Sequence, residues 1–326
     1  MFFYQKDQKI YVTRELKTIV KLEGLQDFDR IGIAQYLMIG NPLGKRTLFE
    51  NVIRLEPQNL VRISLNSLKV ELIEINQFNF ENKIHKSKSL NENAKYLTDL
   101  LHETCRKMIE AFPDKTNVLS LSGGLDSRTV GAALKNENIK FESATILDPA
   151  KEGVQDSYYA EIIAKILNSP WQEYKLNYPN GQKAKELIDM CFGGNYLGMT
   201  FIIEFYEGLI KKYGRNILYI TGETGLDIRN FLPHRDLNTI EDLIQFILDN
   251  KTHMPLDQAC ELVKVSKELV VSDIRNELLR YPENDLKQKF IHFQFLNYNL
   301  NWCIHGVERS RMFFEIVFPL ILELES

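Results

Sequence analysis

The sequence predicts an α/β fold: a parallel sheet with helices on both faces, preceded by a small antiparallel β unit. Three observations carry that expectation. From about residue 93, short apolar runs alternate with stretches of helical period, as in a parallel sheet wound with crossover helices. Residues 1 to about 85 instead hold closely spaced alternating runs divided by turn clusters, the pattern of antiparallel hairpins. Between them lies one apolar run, 117–121, that breaks at Ser122-Gly123-Gly124 and passes at once into a helical pattern.

In chain order, Phe2-Phe-Tyr4 and Lys9-Ile-Tyr-Val12 flank the polar cluster Gln5-Lys-Asp-Gln8 and predict a hairpin. Residues 31–37 predict a short helix. The runs 60–65 and 68–75 alternate apolar and polar residues across Asn66-Ser67 and predict a second hairpin. A sheet this small exposes its edges, so a partner protein or a second copy is expected to cover this unit. The polar stretch 82–92 reads as a linker, which sets the expected domains at 1–85 and 93–326.

After the linker, Ala94, Leu97, Leu101, Cys105, Met108 and Ile109 form one helical stripe behind an Asn cap, the pattern of a core-facing helix. The runs 117–121, 141–147, 171–176 and 216–220 predict four buried strands. Helices are expected at about 125–134, 156–167, 183–192 and 200–213, then at 239–250, 255–281 and 284–300.

The bulk numbers bound the function. The chain has 326 residues, with 40 Lys and Arg against 44 Asp and Glu, a formal net charge of −4. That balance argues against a broad nucleic-acid surface, and no nucleic-acid partner is expected. No apolar run reaches the roughly 18 residues of a membrane span, so no membrane association is expected. The first residues lack the basic start and apolar core of a signal peptide. Cys105, Cys191, Cys260 and Cys303 form no C-x-x-C pair, which disfavours a disulfide framework or zinc site and favours a reducing cytoplasm.

The chemistry concentrates at two loops. A strand that turns through Gly123 and Gly124 into a helix aims bare N–H groups and the positive end of the helix dipole at one point, which suits a phosphate. Ser122 and Ser127 add hydroxyl donors. Asp126 is compatible with an anion there if Mg²⁺ lies between them. A plain tight turn with a capping Ser is the alternative; six matching residues in a strand–turn–helix context favour the phosphate reading. The loop is not a Walker loop, since no Lys follows the glycines. The run 216–220 leads into Thr221-Gly-Glu-Thr-Gly-Leu-Asp227, a second glycine loop carrying two carboxylates. Two such loops in one sheet predict a shared ATP–Mg²⁺ site. Near the C-terminus, Gly306-Val-Glu-Arg-Ser-Arg311 is either a solvated helix face or a pocket in which Arg309 pairs with a carboxylate or a phosphate.

Ser122-Gly-Gly-Leu-Asp-Ser127 resembles the pyrophosphate loop of the ATP pyrophosphatases, whose adenine nucleotide alpha hydrolase-like fold matches the expected sheet. Within them it is similar to the asparagine synthetases, the β-lactam synthetases and the lasso-peptide cyclases. Further stretches agree. Phe28-Asp29, Tyr36-Leu37, Thr47-Leu-Phe49, Val52 and Leu55-Glu-Pro57 resemble the end of that family's N-terminal glutaminase-like (Ntn-type) domain. Asp156, Ala160, Ala164 and Leu167 resemble the helix after its second strand, and Thr221-Gly-Glu223 with Asp227 its second ATP loop. His305-Gly306, Glu308-Arg309 and Pro319 match more weakly near residues 298–320.

The resemblance implies an ATP-dependent, AMP-forming amide ligase. A small-molecule or peptide carboxylate is adenylated and passed to ammonia or an amine. It implies that Ser122, Gly123, Gly124, Leu125, Asp126, Ser127, Thr221 and Gly222 bind the phosphates. The backbone of Leu119, Ser120 and Leu121, with Ile146, frames adenine and ribose. Asp126 and Asp227 hold Mg²⁺, and Glu223 orients or deprotonates the amine. Three departures qualify this. Phe2 stands where the family's glutaminase cysteine follows the initiator Met, so no glutaminase activity is expected. The second loop lacks the family's Asp-Glu pair. No residue takes the part of its C-terminal, pyrophosphate-stabilising lysine, which implies a fragment, a substitute group or impaired chemistry. The alternative function is a catalytically impaired relative that binds nucleotide or a partner. A tRNA-modifying pyrophosphatase is disfavoured by the acidic balance and scattered cysteines.

Overall fold

The run Thr116–Ser120 (β6) shows how this sequence selects its fold. Its side chains alternate between two apolar layers, Val118 with one and Leu119 with the other, as the two-residue period of a strand requires. A strand buried on both faces needs helices on both sides, and that is the arrangement in the computed structural model, which describes residues 1–64, 66–75, 78–81, 88–191, 197–222, 233 and 235–299.

Four parallel strands form the central sheet: β6, Glu142–Leu147 (β7), Trp171–Lys175 (β8) and Ile217–Ile220 (β9), in the order β8-β7-β6-β9. One face carries Leu90–Ala111 (α3), Leu125–Asn136 (α4) and Val154–Leu167 (α5), packed on Leu119, Leu121, Leu218 and Ile220. Ile202–Tyr213 (α7) covers the other, on Val118, Ala144, Ile217 and Tyr219. Gly181–Cys191 (α6) lies between β8 and α7 in sequence. α3 begins with a capping box, in which the Ser89 hydroxyl accepts from the Glu92 N–H and Glu92 reaches back to the Ser89 N–H.

The small antiparallel unit precedes this sheet. Phe2–Lys6 (β1) and Lys9–Thr13 (β2) make the first hairpin, with Asp7 in the left-handed region at the turn, and Ile53–Arg54 (β3) joins the other edge of β1. Asn59–Ser64 (β4) and Lys69–Glu74 (β5) pair as a separate two-stranded sheet. Two helices lie between β2 and β3: Leu16–Glu23 (α1), which sequence periodicity had not singled out, and Arg30–Ile39 (α2).

The C-terminal helices are Ile240–Asn250 (α8), Leu256–Val263 (α9), Lys267–Leu279 (α10) and Leu286–Gln294 (α11). The single helix expected over 255–281 is two. Lys264 takes a left-handed conformation that ends α9, and the Ser266 hydroxyl caps α10 by accepting from the Leu269 N–H. These helices share one core with α2: Ala34, Met38 and Ile39 pack with Leu243, Ile247, Cys260, Ile274, Leu278 and Phe293. The N-terminal unit is thereby tied to the C-terminal helices, across the linker expected at 82–92.

A buried polar network reinforces that tie. Glu277 accepts from Arg280 at 2.7 Å, from the Tyr281 hydroxyl and from Asn297 at 3.2 Å, while Arg280 also donates to Glu56 at 2.8 Å. The Asn297 amide oxygen accepts from the Gly44 N–H at 2.8 Å. Burial, with Glu277 alongside, pushes the Tyr281 hydroxyl well above the ordinary tyrosine range, so it stays a neutral donor. One turn further, Tyr281 stacks on His292 with ring centres 4.2 Å apart, and His292 Nδ1 lies 2.9 Å from Glu283. No helix among the described residues is long and apolar enough to cross a membrane.

Candidate functional site

β6 ends at Ser120, the Leu121 N–H donates to the Ala144 carbonyl at 2.9 Å, and α4 begins at Leu125. Gly124, in an extended conformation, is the N-cap and offers no side chain, so the first turn of α4 lacks an N-cap side-chain bond. The residues between form a small ring. Ser127 Oγ accepts from the Ser122 N–H at 3.0 Å and lies 3.0 Å from Ser122 Oγ, which accepts from the Gly124 N–H at 3.2 Å. Arg128 closes the outside by donating to the Gly123 carbonyl at 2.8 Å. The serines hold the turn in shape while the helix dipole points its positive end outward.

The neighbouring strand brings the second loop to the same place. β9 lies beside β6, so Thr221-Gly222 leaves the sheet next to the first turn of α4. The approach is backbone to backbone. A Cβ on Gly222 would stand 2.6 Å from the Asp126 carbonyl carbon and 2.7 Å from Ser127 Cα, distances no real Cβ adopts. Gly123 is hemmed in from the other side, where a Cβ would lie 2.7 Å from an Asp156 carboxylate oxygen and 3.1 Å from Tyr159 Cβ. Close approach of backbone to backbone requires Gly222, and Gly123 is tightly seated against α5.

The chain runs outward from β6 to β7 and β8, then returns to the far side of β6 for β9. The strand order therefore reverses at β6, and crevices at such a reversal are where open parallel sheets bind ligands. A third loop, after β7, stands at the same sheet end. Asp148 accepts from the Gly153 N–H at 2.8 Å and the Glu152 N–H at 3.3 Å. The Gly153 bond, with its neighbours, holds the Asp148 carboxyl below the usual range.

The sequence candidates distribute as follows. Leu119 and Leu121 point into the core, so only their backbone faces the loop; Ser120 is half-buried. Ile146 packs on the α7 face, opposite the layer that takes Leu119 and Leu121. Ser122, Gly123 and Asp126 are half-buried, Gly124 and Leu125 exposed, and Ser127 buried. Thr221 and Gly222 are half-buried beside them. Glu223, Asp227 and Arg309 lie outside the described residues. Among the described residues no group of three His, Cys, Asp or Glu side chains is placed to hold a metal ion. Periodicity gave no notice of Tyr159 or Asp148. A tyrosine on an exposed helix position and an aspartate after a strand have no distinctive spacing.

No family model matches the chain, and no curated protein does. Among solved structures it is similar to the NMN synthetase from Francisella tularensis at 13% identity, covering 71% of this chain and 98% of that one, with a TM-score of 0.31. A likeness at that score carries no functional argument.

Proposed function

We propose that this chain is an ATP-dependent, AMP-forming amide ligase of the asparagine-synthetase type that does not hydrolyse glutamine. The observation that carries the reading is the meeting of two glycine loops, from the adjacent parallel strands β6 and β9, at the reversal of strand order, with Gly222 seated against the Asp126–Ser127 peptide. Loops so placed suit a nucleotide's phosphates rather than a lone small anion.

In this reading a substrate carboxylate attacks the α-phosphorus of ATP and pyrophosphate leaves. Ammonia or an amine then displaces AMP from the acyl-adenylate to give the amide. N–H groups at the head of α4, with the Ser122 and Ser127 hydroxyls, take up charge on the departing pyrophosphate. The backbone at 119–121 and Ile146 borders the adenosine. Glu223 receives a proton from the attacking amine. Mg²⁺ would suit this loop: the half-buried Asp126 carboxylate at the head of α4 is a hard oxygen ligand, and water and phosphate oxygens would complete the shell. Asp126 and Asp227 would hold it, and it would neutralise charge on the phosphates.

Pyrophosphate–ATP exchange against a panel of carboxylates tests the reading. Exchange that depends on one class of carboxylate is expected; a panel with no exchange, together with no binding of ATP, overturns it. The metal assignment is tested separately. Asp126→Asn should weaken Mg·ATP binding about ten-fold or more, equivalent to at least about 1.4 kcal/mol, and leave metal-free ATP binding nearly unchanged. Equal binding of Mg·ATP by the variant and the parent would remove Asp126 from the metal shell.

A further inference from the structure

Arg128 stands at the wrong end of its helix. It is the fourth residue of α4, and its side chain turns back over the first turn to donate to the Gly123 carbonyl at 2.8 Å. The helix dipole disfavours a cation there. Arg128 is exposed, so the bond adds nothing to the core. A broken local rule with no gain in packing points to function. The peptide that Arg128 holds is also the least restrained in the loop. It joins Gly123 to Gly124, and neither residue has a Cβ to resist rotation of the peptide plane.

We propose that Arg128 is a positioning residue for phosphate: it fixes the Gly123–Gly124 peptide so that the Gly124 N–H stays on the side of the two serines. A trans peptide carries its carbonyl and its N–H on opposite edges, so a half-turn of the plane exchanges them. As the loop stands, the carbonyl meets Arg128 and the N–H donates to Ser122 Oγ at 3.2 Å, with Ser127 Oγ 3.0 Å from that hydroxyl. Held so, the N–H passes from Ser122 Oγ to a phosphate oxygen without any turn of the backbone. After a half-turn the carbonyl oxygen would occupy the serines' side and repel an anion. Gly124 itself offers no resistance. The half-turn carries its φ from −71° to a positive value, which glycine adopts freely and other residues rarely do. The guanidinium also polarises the peptide it binds, which strengthens the N–H as a donor, and it adds positive potential behind the loop. This role rests on the nucleotide reading of the loop and gives Arg128 no contact with substrate.

Two measurements on the full chain test this. Arg128→Met keeps an unbranched side chain and a good helix former at an exposed position while removing the donor. It should weaken Mg·ATP binding about ten-fold, with the parent's unfolding midpoint. In a Gly124→Ala background the same substitution should cost less than about two-fold, because a Cβ at position 124 bars the half-turn by itself. Only the ratio within that background counts, whatever Gly124→Ala costs alone. An arginine that bound phosphate directly would cost as much in both backgrounds, so equal losses overturn the proposal. The second measurement needs no nucleotide. In ¹⁵N-glycine spectra of the free protein, the Gly124 amide is identified by its absence from Gly124→Ala. It should exchange with solvent several-fold faster in Arg128→Met than in the parent. An unchanged rate overturns the proposal whether or not the parent binds ATP. A faster rate in a chain that binds no ATP would uphold Arg128 as the holder of this peptide and remove the nucleotide reading alone.

Discussion

At the head of α4 the polar groups bond one another across five residues of sequence; between α10 and the N-terminal segment they bond across 224. The first set is half-exposed and held by hydroxyls that can turn to a new partner. The second is buried, with Glu277 taking three donors and Tyr281 kept neutral. A hydroxyl ring near solvent gives up a modest net bond when a ligand arrives, whereas a buried carboxylate stripped of its donors pays its full desolvation penalty. Similar groups thus make bonds that cost little to exchange in one place and much to break in the other.

Glu277→Ala should separate the two most sharply. It leaves the Tyr281 hydroxyl without its acceptor and breaks one side of the Arg280 pairing, at a cost of about 3–5 kcal/mol to stability. Urea unfolding measures this; a loss under about 1 kcal/mol would mean the network is dispensable and the contrast false. Gly222→Ala comes next, at about 1–3 kcal/mol of overpacking strain. Because that loop lies at the sheet's rim, the strain should appear in calorimetry as weaker Mg·ATP binding with the midpoint of unfolding nearly kept. Unfolding like that of the Glu277 variant with ATP binding intact would place Gly222 in the structural class. The smallest effect concerns pH. Burial lowers the His292 pKa below its ordinary 6.5, so the unfolded chain takes up this proton more readily than the native one. The contribution is complete above about pH 6.5 and is lost as pH falls toward the native value, with a slope of at most about 1.36 kcal/mol per pH unit. His292→Gln, which keeps a donor for Glu283, should flatten that slope; an unchanged slope would show that His292 does not titrate on unfolding.

How much of this was legible in the sequence follows from the range of the forces. The sheet was, because each strand carries its own apolar run: those expected at 117–121, 141–147, 171–176 and 216–220 are Thr116–Ser120, Glu142–Leu147, Trp171–Lys175 and Ile217–Ile220. The first hairpin and α2 were legible for the same reason. The break between α9 and α10 was not, since Lys264 gives no warning of a left-handed turn and the apolar period runs on through it. Nor was the core shared by α2 and α8–α11, which depends on stripes more than two hundred residues apart. At the loops, Ser122-Gly-Gly-Leu-Asp-Ser127 announced a turn from strand to helix, but the contact of Gly222 with Asp126 and Ser127 depends on β9 pairing with β6, which no local pattern encodes.

The pairing of Glu56 with Arg280 also sets a timetable. A ribosome adding about 5–20 residues per second needs roughly 10–45 s to travel from one to the other. For that interval the acidic partner exists without its base, and α2 without the helices that bury its apolar face. The amino-terminal segment must therefore wait for the helices that share its core, and the Glu56–Arg280 pair closes only after the strands of the central sheet have been made.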